Sequence, residues 1–430
     1  MSDKCIQAAL LGCGTVGGGV WKVLDNNRDI IRKRVGIDIK VKKVLELDFE
    51  KAQKAGVPES VLTKNADDII NDKDIDIVVE VIGGTTISKE LILRAINAGK
   101  SVVTANKDLL AQDGEEILGA AAKNQVDLLF EASVAGGIPI IHPLKEGLSG
   151  NQIKTIYGIV NGTTNYMLTK MSQEGSNYAD VLAEAQEKGY AEADPTSDVE
   201  GYDSARKLAI LSSIAFNTRV SFKDVYCEGI SKITARDIMY AKELNYAVKL
   251  LAIGKEIDGE IEVRVHPAFI PQKHPLASVN DVFNAIFIQG DAVGDVMFYG
   301  RGAGELPTAS AVVGDVIDAA RNIVMNVKGR IACSCYDNKV IRDIGDTKAK
   351  FYVRMKVLDR PGVLAAIASV FGNQEVSLDS VIQKRNIGNL AEIVWVTHYV
   401  LEKNIQDALK IIGGLSIVEE IRNVIRVEGE

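Results

Sequence analysis

Lys107 ends the stretch Thr104-Ala105-Asn106-Lys107, directly after a short apolar run at Val102 to Thr104. An ammonium at a strand end can stabilise or transfer charge at a substrate oxygen; a surface lysine is the plainer alternative. A second group starts at Gly189-Tyr190-Ala191-Glu192-Ala193-Asp194-Pro195 and continues into a helix-like stretch with Asp203, Arg206 and Lys207. Asp203 and Lys207 lie four residues apart, so they share a helix face. They form either a stabilising surface pair or a cleft-edge pair in which the carboxylate positions the ammonium. In the second case Lys207 assists proton movement at a hydroxyl or carbonyl. Glu192 is placed in sequence to hold a substrate ammonium or an ordered water. Two lysines and two acids together suit a zwitterionic substrate.

A third group is Gly12-Cys13-Gly14-Thr15-Val16-Gly17, which follows a strand and opens a helix. That context turns a weak glycine pattern into a dinucleotide fingerprint. Gly12 permits the turn, Gly14 leaves room for pyrophosphate, and Gly17 permits close helix–sheet contact. Exposed amides at the helix start, Thr15 and Val16 among them, can hold phosphate oxygens. The second strand runs into Leu45-Glu46-Leu47-Asp48. Glu46 or Asp48 there can accept hydrogen bonds from the ribose hydroxyls, which favours NAD over NADP; Lys42, Lys43 and Lys51 nearby weigh the other way. Gly83 and Thr104 end two further strands and should open on the same crevice. Hydride transfer would belong to the nicotinamide. The protein's part is to position the carbons and absorb alkoxide charge.

The elements that must position these groups can be read from hydrophobic periodicity. Strands at Ile6 to Leu11, Val41 to Leu45, Ile75 to Ile82, Val102 to Thr104 and Val126 to Phe130 alternate with helices. This is a doubly wound parallel α/β (Rossmann) domain. Ser88 is placed to cap the helix that ends near Ile96. After Glu131 the pattern changes to an α+β domain with a mixed or antiparallel sheet. Its strands include Lys154 to Val160, interrupted by Asn161-Gly162-Thr163-Thr164-Asn165, and Ile261 to Val265. Thr308 to Val327 is a long helix that should pack back across the first domain. The tail has a β-α-β-β-α-β rhythm, a ferredoxin-like topology. The resulting division is 1–130, 131–304, 305–346 and 347–430.

The chain has 430 residues and a formal net charge of -8, which gives no support for a nucleic-acid backbone partner. No apolar run is long enough for a membrane span, and no signal peptide is evident. The cysteines, Cys5, Cys13, Cys227, Cys333 and Cys335, are too sparse and odd in number for a disulfide scaffold. A cytoplasmic protein is expected. Cys333-x-Cys335 is either an ordinary loop pair or a metal fragment, and no second cysteine pair supports the metal.

At Lys107, at Glu131 to Pro139, at Asn161 to Tyr166, at Gly189 through Lys207, and at Gly302-Ala303-Gly304 with Pro307-Thr308, the chain resembles the homoserine dehydrogenases. The resemblance covers roughly Ile6 to Gly329. It implies reversible oxidation of L-homoserine to L-aspartate 4-semialdehyde with NAD or NADP. By that resemblance Lys107 and Lys207 would be the catalytic lysines, Lys107 also lying against the cofactor. Glu192 and Asp203 would bind substrate, Gly162 and Thr163 would line its pocket, and Gly304 would approach the cofactor. A monovalent cation, usually sodium, would sit on backbone carbonyls at Glu131, Val134, Gly136 and Ile138. NADP-using relatives commonly carry an arginine where this chain has Leu47.

The turn Asp359-Arg360-Pro361-Gly362 resembles an ACT domain, a regulatory module, over about Lys350 to Val427. It implies feedback control with L-threonine as effector; a ligand-free dimerisation module is the alternative. A homodimer is expected, with a tetramer possible. Two rival functions remain at this level. A phosphorylating semialdehyde dehydrogenase needs an activated cysteine, and none lies between Cys13 and Cys227. A non-catalytic protein binding dinucleotide and amino acid leaves Lys107, Asp203 and Lys207 without a purpose.

Overall fold

The computed structural model describes residues 5–331 and 333–429, with the backbone alone at 384–387. The chain divides into two compact units. One comprises 1–156, 206–224 and 284–338, the other 157–205, 225–283 and 339–430.

The first unit holds a six-stranded sheet of β1 (Cys5–Leu11), β2 (Asp38–Leu45), β3 (Leu62–Thr63), β4 (Ile77–Glu80), β5 (Ser101–Thr104) and β6 (Leu128–Leu129). The order is β3-β2-β1-β4-β5-β6 and every pairing is parallel. β4 and β5 are buried at all four positions, because helices cover both faces of such a sheet and leave no polar side. The order reverses between β1 and β4, the position at which such folds bind dinucleotides.

Three helices matter for the site: α1 (Thr15–Asn26), α2 (Lys107–Asn124) and α3 (Glu305–Met325). α3 packs back on α1, as expected, burying Ala309, Val312, Val313 and Val316 in the core beneath β1. Gly19 makes the approach possible, since a Cβ there would lie 2.8 Å from the Glu305 carbonyl oxygen. A bulkier residue at Gly19 would force the two helices apart.

Two local expectations are corrected. The strand expected from Ile75 to Ile82 is only Ile77–Glu80. The Glu80 carboxylate turns back to accept from the amides of Ile82 and Gly83, which ends the ladder. Ser88 does not cap: the helix is Ile87–Asn97, and the buried Ser88 hydroxyl donates to the Gly84 carbonyl.

In the second unit, Asn161 to Asn165 begin an element instead of interrupting one. Asn161 caps the helix Gly162–Glu174, accepting from Thr164 N at 2.9 Å. Strands Tyr246–Ile257 and Glu260–Pro271 form a long antiparallel hairpin. It turns on Asp258 and Gly259, both with positive φ, as a two-residue turn of primed type requires.

The C-terminal part of this unit has strands Lys348–Leu358, Leu378–Ile387, Leu390–Thr397 and Val418–Val427, and helices Val363–Asn373 and Glu402–Gly413. The strands lie in the order fourth, first, third, second, all antiparallel. That is the ferredoxin-like arrangement. Its core joins Phe371 and Trp395, with rings 5.4 Å apart, to Ile367 and Ile405. The fourth strand also pairs in parallel with Glu260–Pro271 at Ala268–Arg426 and Phe269–Val427. Arg354 adds a buried ion pair to Asp237 at 2.8 Å. Among the described residues no helix is long and apolar enough to cross a membrane.

Candidate active site

The nucleotide end of the first unit is built by three strand ends. At the first, Gly12 has φ +99°, and a Cβ there would lie 3.1 Å from the Val81 carbonyl oxygen. A Cβ on Gly17 would collide with the Gly12 carbonyl. Gly17 therefore lets the loop fold on itself and, as expected, lets the helix sit close to the sheet, its Cβ position being 3.2 Å from Val81 Cγ2; Gly19 makes the separate contact with α3. Gly14 is different: only Lys51 Nζ, at 3.8 Å, comes near the Cβ position. That open space suits a group approaching the backbone closely. α1 has no side-chain cap and no acid in its first turn, so the amides at Thr15 and Val16 suit an anion.

At the second strand end the two acids separate. Asp48 caps the helix Phe49–Lys54, accepting from Lys51 N at 3.2 Å. Glu46 instead reaches the glycine loop. It accepts from Cys13 N at 2.9 Å, and from Leu47 N and Asp48 N at 2.8 and 3.2 Å. Of the three lysines, Lys42 is drawn to Asp72 and Asp74, at 2.8 and 2.9 Å. Lys51 is the one beside Gly14.

The third end centres on Glu80, which the sequence reading missed. Its fully buried carboxylate accepts from the Thr104 hydroxyl at 2.6 Å and the Gly83 amide at 3.0 Å. Thr104 in turn accepts from Asn106 N at 3.0 Å, and Asn106 caps α2 through Leu109 N at 3.1 Å. One acid thus locks the β4 and β5 loops together. The Thr104 hydroxyl is committed to this network, so its offer to a nucleotide is main-chain. The available signal was an acid at the end of an apolar strand, just before Gly83-Gly84.

Lys107 is the first residue of α2 and is half-buried. Lys207, also half-buried, lies on the helix Tyr202–Ala215, one turn beyond the buried Asp203. Their neighbours in sequence meet: Arg206 Nε is 3.1 Å from Asp108 Oδ1. This pair brings together the helix segments that carry the two lysines. It is partly exposed, so its stability value is at most about 1 kcal/mol. Arg206→Gln is therefore expected to leave Tm and cofactor Kd nearly unaltered while lowering kcat about tenfold through misplacement. Steady-state kinetics beside a melting curve checks this; a Tm loss with normal kcat would make the pair merely structural.

In the second unit Asn161 is the hub. Its side-chain amide donates to Asp198 at 2.7 Å and to Asp203 at 2.9 Å. Thr163 donates its hydroxyl to the Tyr190 carbonyl at 2.6 Å, tying the loop that carries Glu192 to the helix beginning at Gly162. Glu192 is exposed and Thr163 buried.

The remaining expected residues lie in the first unit. Gly304, with φ +121°, precedes α3. The Glu131 carboxylate accepts from the amides of Ile140, Ile141 and His142, at 2.5, 2.8 and 2.7 Å. Ala135 and Gly136 both have positive φ, and a Cβ on Gly136 would collide with the Gly302 carbonyl. Glu131, Val134, Gly136 and Ile138, the residues expected at a cation, lie along this turn. A cluster of His142, Glu146 and Asp318 lies near it, but Arg330 already pairs with both acids.

His142 Nε2 is 2.9 Å from the buried Asp315, which also accepts from Glu131 N. The hydrogen bond to Asp315 holds His142 protonated, pushing its pKa from 6.5 up to about 9. A raised folded value means stability fully present below pH 6.5 and lost as pH rises through about 9. Melting curves across that window should fall more steeply for the parent than for His142→Gln; parallel slopes would refute the linkage.

A fingerprint loop at the switch of a doubly wound sheet, with Lys107 opening the helix after β5 and Lys207 on a helix tied to it, fits a nicotinamide-dinucleotide-dependent oxidoreductase. Comparison with known proteins narrows the class. The homoserine dehydrogenase NAD-binding family matches residues 12–131, the homoserine dehydrogenase family 139–317 and the ACT domain 351–414. Homoserine dehydrogenase of Bacillus subtilis is 45% identical over 428 residues, 99% of each chain. That of Corynebacterium glutamicum is 48% identical over 431 residues, 99% of this chain and 96% of its own. The crystal structure of a homoserine dehydrogenase from Thiobacillus denitrificans superposes with TM-score 0.94 at 43% identity, covering 99% of this chain and 98% of that one. A hyperthermophilic archaeal homoserine dehydrogenase in complex with NADPH covers 74% of this chain and 98% of its own, at TM-score 0.62 and 29% identity. The chain belongs to the homoserine dehydrogenase family and carries an ACT domain. It is an NAD(P)-dependent enzyme of amino-acid biosynthesis.

Proposed function

We propose that Lys207 and Lys107 serve the oxidation of homoserine to its semialdehyde directly, and that Glu192, Asp203, Gly162 and Thr163 hold the substrate. The observation that carries this is the Asp108–Arg206 ion pair, which gathers the two lysine-bearing helix segments. When bound, the dinucleotide supplies the hydride acceptor. Lys207 then moves the hydroxyl proton and Lys107 stabilises the alkoxide charge. Asp203 positions Lys207 from one turn away, and Asn161 holds Asp203 in place.

NAD is the preferred cofactor in this reading. The Glu46 carboxylate accepts from three amides at the glycine loop, and an acid there suits ribose hydroxyls and disfavours a 2′-phosphate. The archaeal relative bound to NADPH and the position of Lys51 argue for residual NADP use. Sodium would sit on the main-chain oxygens of Glu131, Val134, Gly136 and Ile138. L-threonine is the effector proposed for the ACT domain, supported by its family match. The proposed state is at least a homodimer. The strand Gly294–Arg301 alternates in exposure, with Met297 and Tyr299 on its open face, the pattern of a surface awaiting cover. The division into 1–130, 131–304, 305–346 and 347–430 is our assignment by role, in a cytoplasmic protein.

The test is homoserine oxidation with NAD and NADP separately, with sodium or choline salts, and with or without threonine. Higher kcat/KM with NAD, sodium activation and threonine inhibition are expected. Glu46→Ala should reduce the NAD:NADP preference about tenfold. An unaltered ratio in that variant would remove Glu46 from the ribose, and indifference to sodium would remove the cation.

A further inference from the structure

Cys333 and Cys335 are two residues apart and half-buried in the first unit. The side chain and backbone amide of Cys335 lie beside the Cys333 sulfur. Arg219 Nη2 lies 3.6 Å from the same sulfur. The Cys335 thiol also faces the Ser213 carbonyl at 3.6 Å. Beside the pair is a cavity of about 30 Å³, lined in part by Leu110, Phe130, Lys145 and Ile210. A water needs about 10–15 Å³ on this measure, so a small peroxide fits.

We infer that Cys333 and Cys335 form an oxidisable dithiol that a hydroperoxide converts to a disulfide, lowering turnover reversibly. Cys333 is the attacking sulfur. Cys335 beside it, then the Arg219 and Lys145 charges, hold the Cys333 thiol below the usual thiol range, while Cys335 is raised. A thiolate next to a protonated thiol suits this sequence of steps. The thiolate attacks a peroxide oxygen; an S–O bond forms, the O–O bond breaks, and hydroxide or alkoxide leaves and takes a proton from solvent. Cys335 sulfur then displaces hydroxyl from the sulfenic sulfur. The S–S bond forms, the S–O bond breaks, and the Cys335 proton departs in water. The peroxide gains two electrons, one from each thiol.

The consequence for catalysis follows from what the dithiol touches. Ser213 belongs to the helix bearing Lys207, and Leu110 to the helix bearing Lys107. Gly114 of α2 lets the Arg219 guanidinium approach, with Nη1 3.4 Å from its Cβ position. Next to it, Asp113 departs from helical φ/ψ, so α2 has a bend at this point. Disulfide formation removes the thiolate charge from Arg219 and the thiol donor from Ser213, changing the support beneath both lysine helices.

The experiment exposes the purified full chain to hydrogen peroxide, then alkylates and digests it with trypsin. Both cysteines fall in the peptide 331–339. That peptide should lose two hydrogens and escape alkylation about tenfold faster than Cys5, Cys13 or Cys227 react. Cys335→Ser should stop at a sulfenic acid on Cys333 that dimedone traps. Homoserine oxidation should fall about tenfold in the parent, recover with dithiothreitol, and resist peroxide in Cys333→Ser. Indiscriminate oxidation of the five cysteines would overturn the site. A disulfide without change in turnover would overturn the coupling. The mass readout is independent of the lysine roles proposed above, on which only the turnover arm rests.

Discussion

Lys207→Ala is expected to lower kcat for homoserine oxidation by about 10²–10⁴ while leaving cofactor Kd within about twofold. The substrate hydroxyl must lose its proton as the hydride departs, and Lys207 is the proposed acceptor. Alanine cannot take that proton, and water in its place is poorly oriented. Lys207→Arg should recover little, because a guanidinium does not exchange its proton near neutral pH. The loss should appear in kcat and in kcat/KM together, the pattern of a contact made only in the transition state. Turnover of the alanine variant within about threefold of the parent would remove Lys207 from the chemistry.

Gly17→Ala should damage cofactor binding by about 10², together with a stability loss of about 1–3 kcal/mol. The added methyl meets the Gly12 carbonyl, a backbone group that can move only by opening the loop. Gly14→Ala separates the two effects. Only the flexible end of Lys51 lies near that methyl, so its melting temperature should stay close to the parent's while cofactor binding is lost. Nicotinamide fluorescence titrations and melting curves check both. Near-parental cofactor affinity for Gly14→Ala would mean that the pyrophosphate does not approach there.

These two variants also mark how far sequence carries. Gly12, Gly14 and Gly17 are visible as a spacing after an apolar strand, but their separate duties are not. Gly19, which seats α3, has no spacing of its own, because the residue it must admit is Glu305, 286 positions away in the chain. Glu46 and Asp48 are equivalent acids on paper. Only the path of the chain makes one a lid on the glycine loop and the other a helix cap.

The sequence by itself determined the alternation of strands and helices, the dinucleotide loop, the lysine-bearing segments and the ferredoxin-like ACT tail. Each is encoded locally, in hydrophobic period, in glycine placement or in short polar runs. Tertiary structure alone decided that Asp108 and Arg206 join the lysine helices, and that Glu80 locks two strand ends. It also decided that Asn161 holds Asp203, and that Cys333 shares a cavity with both lysine helices. Every one of these joins residues far apart in the chain. A hydrogen bond or ion pair needs its partners within about 3–4 Å, and that closeness is set by how whole elements pack.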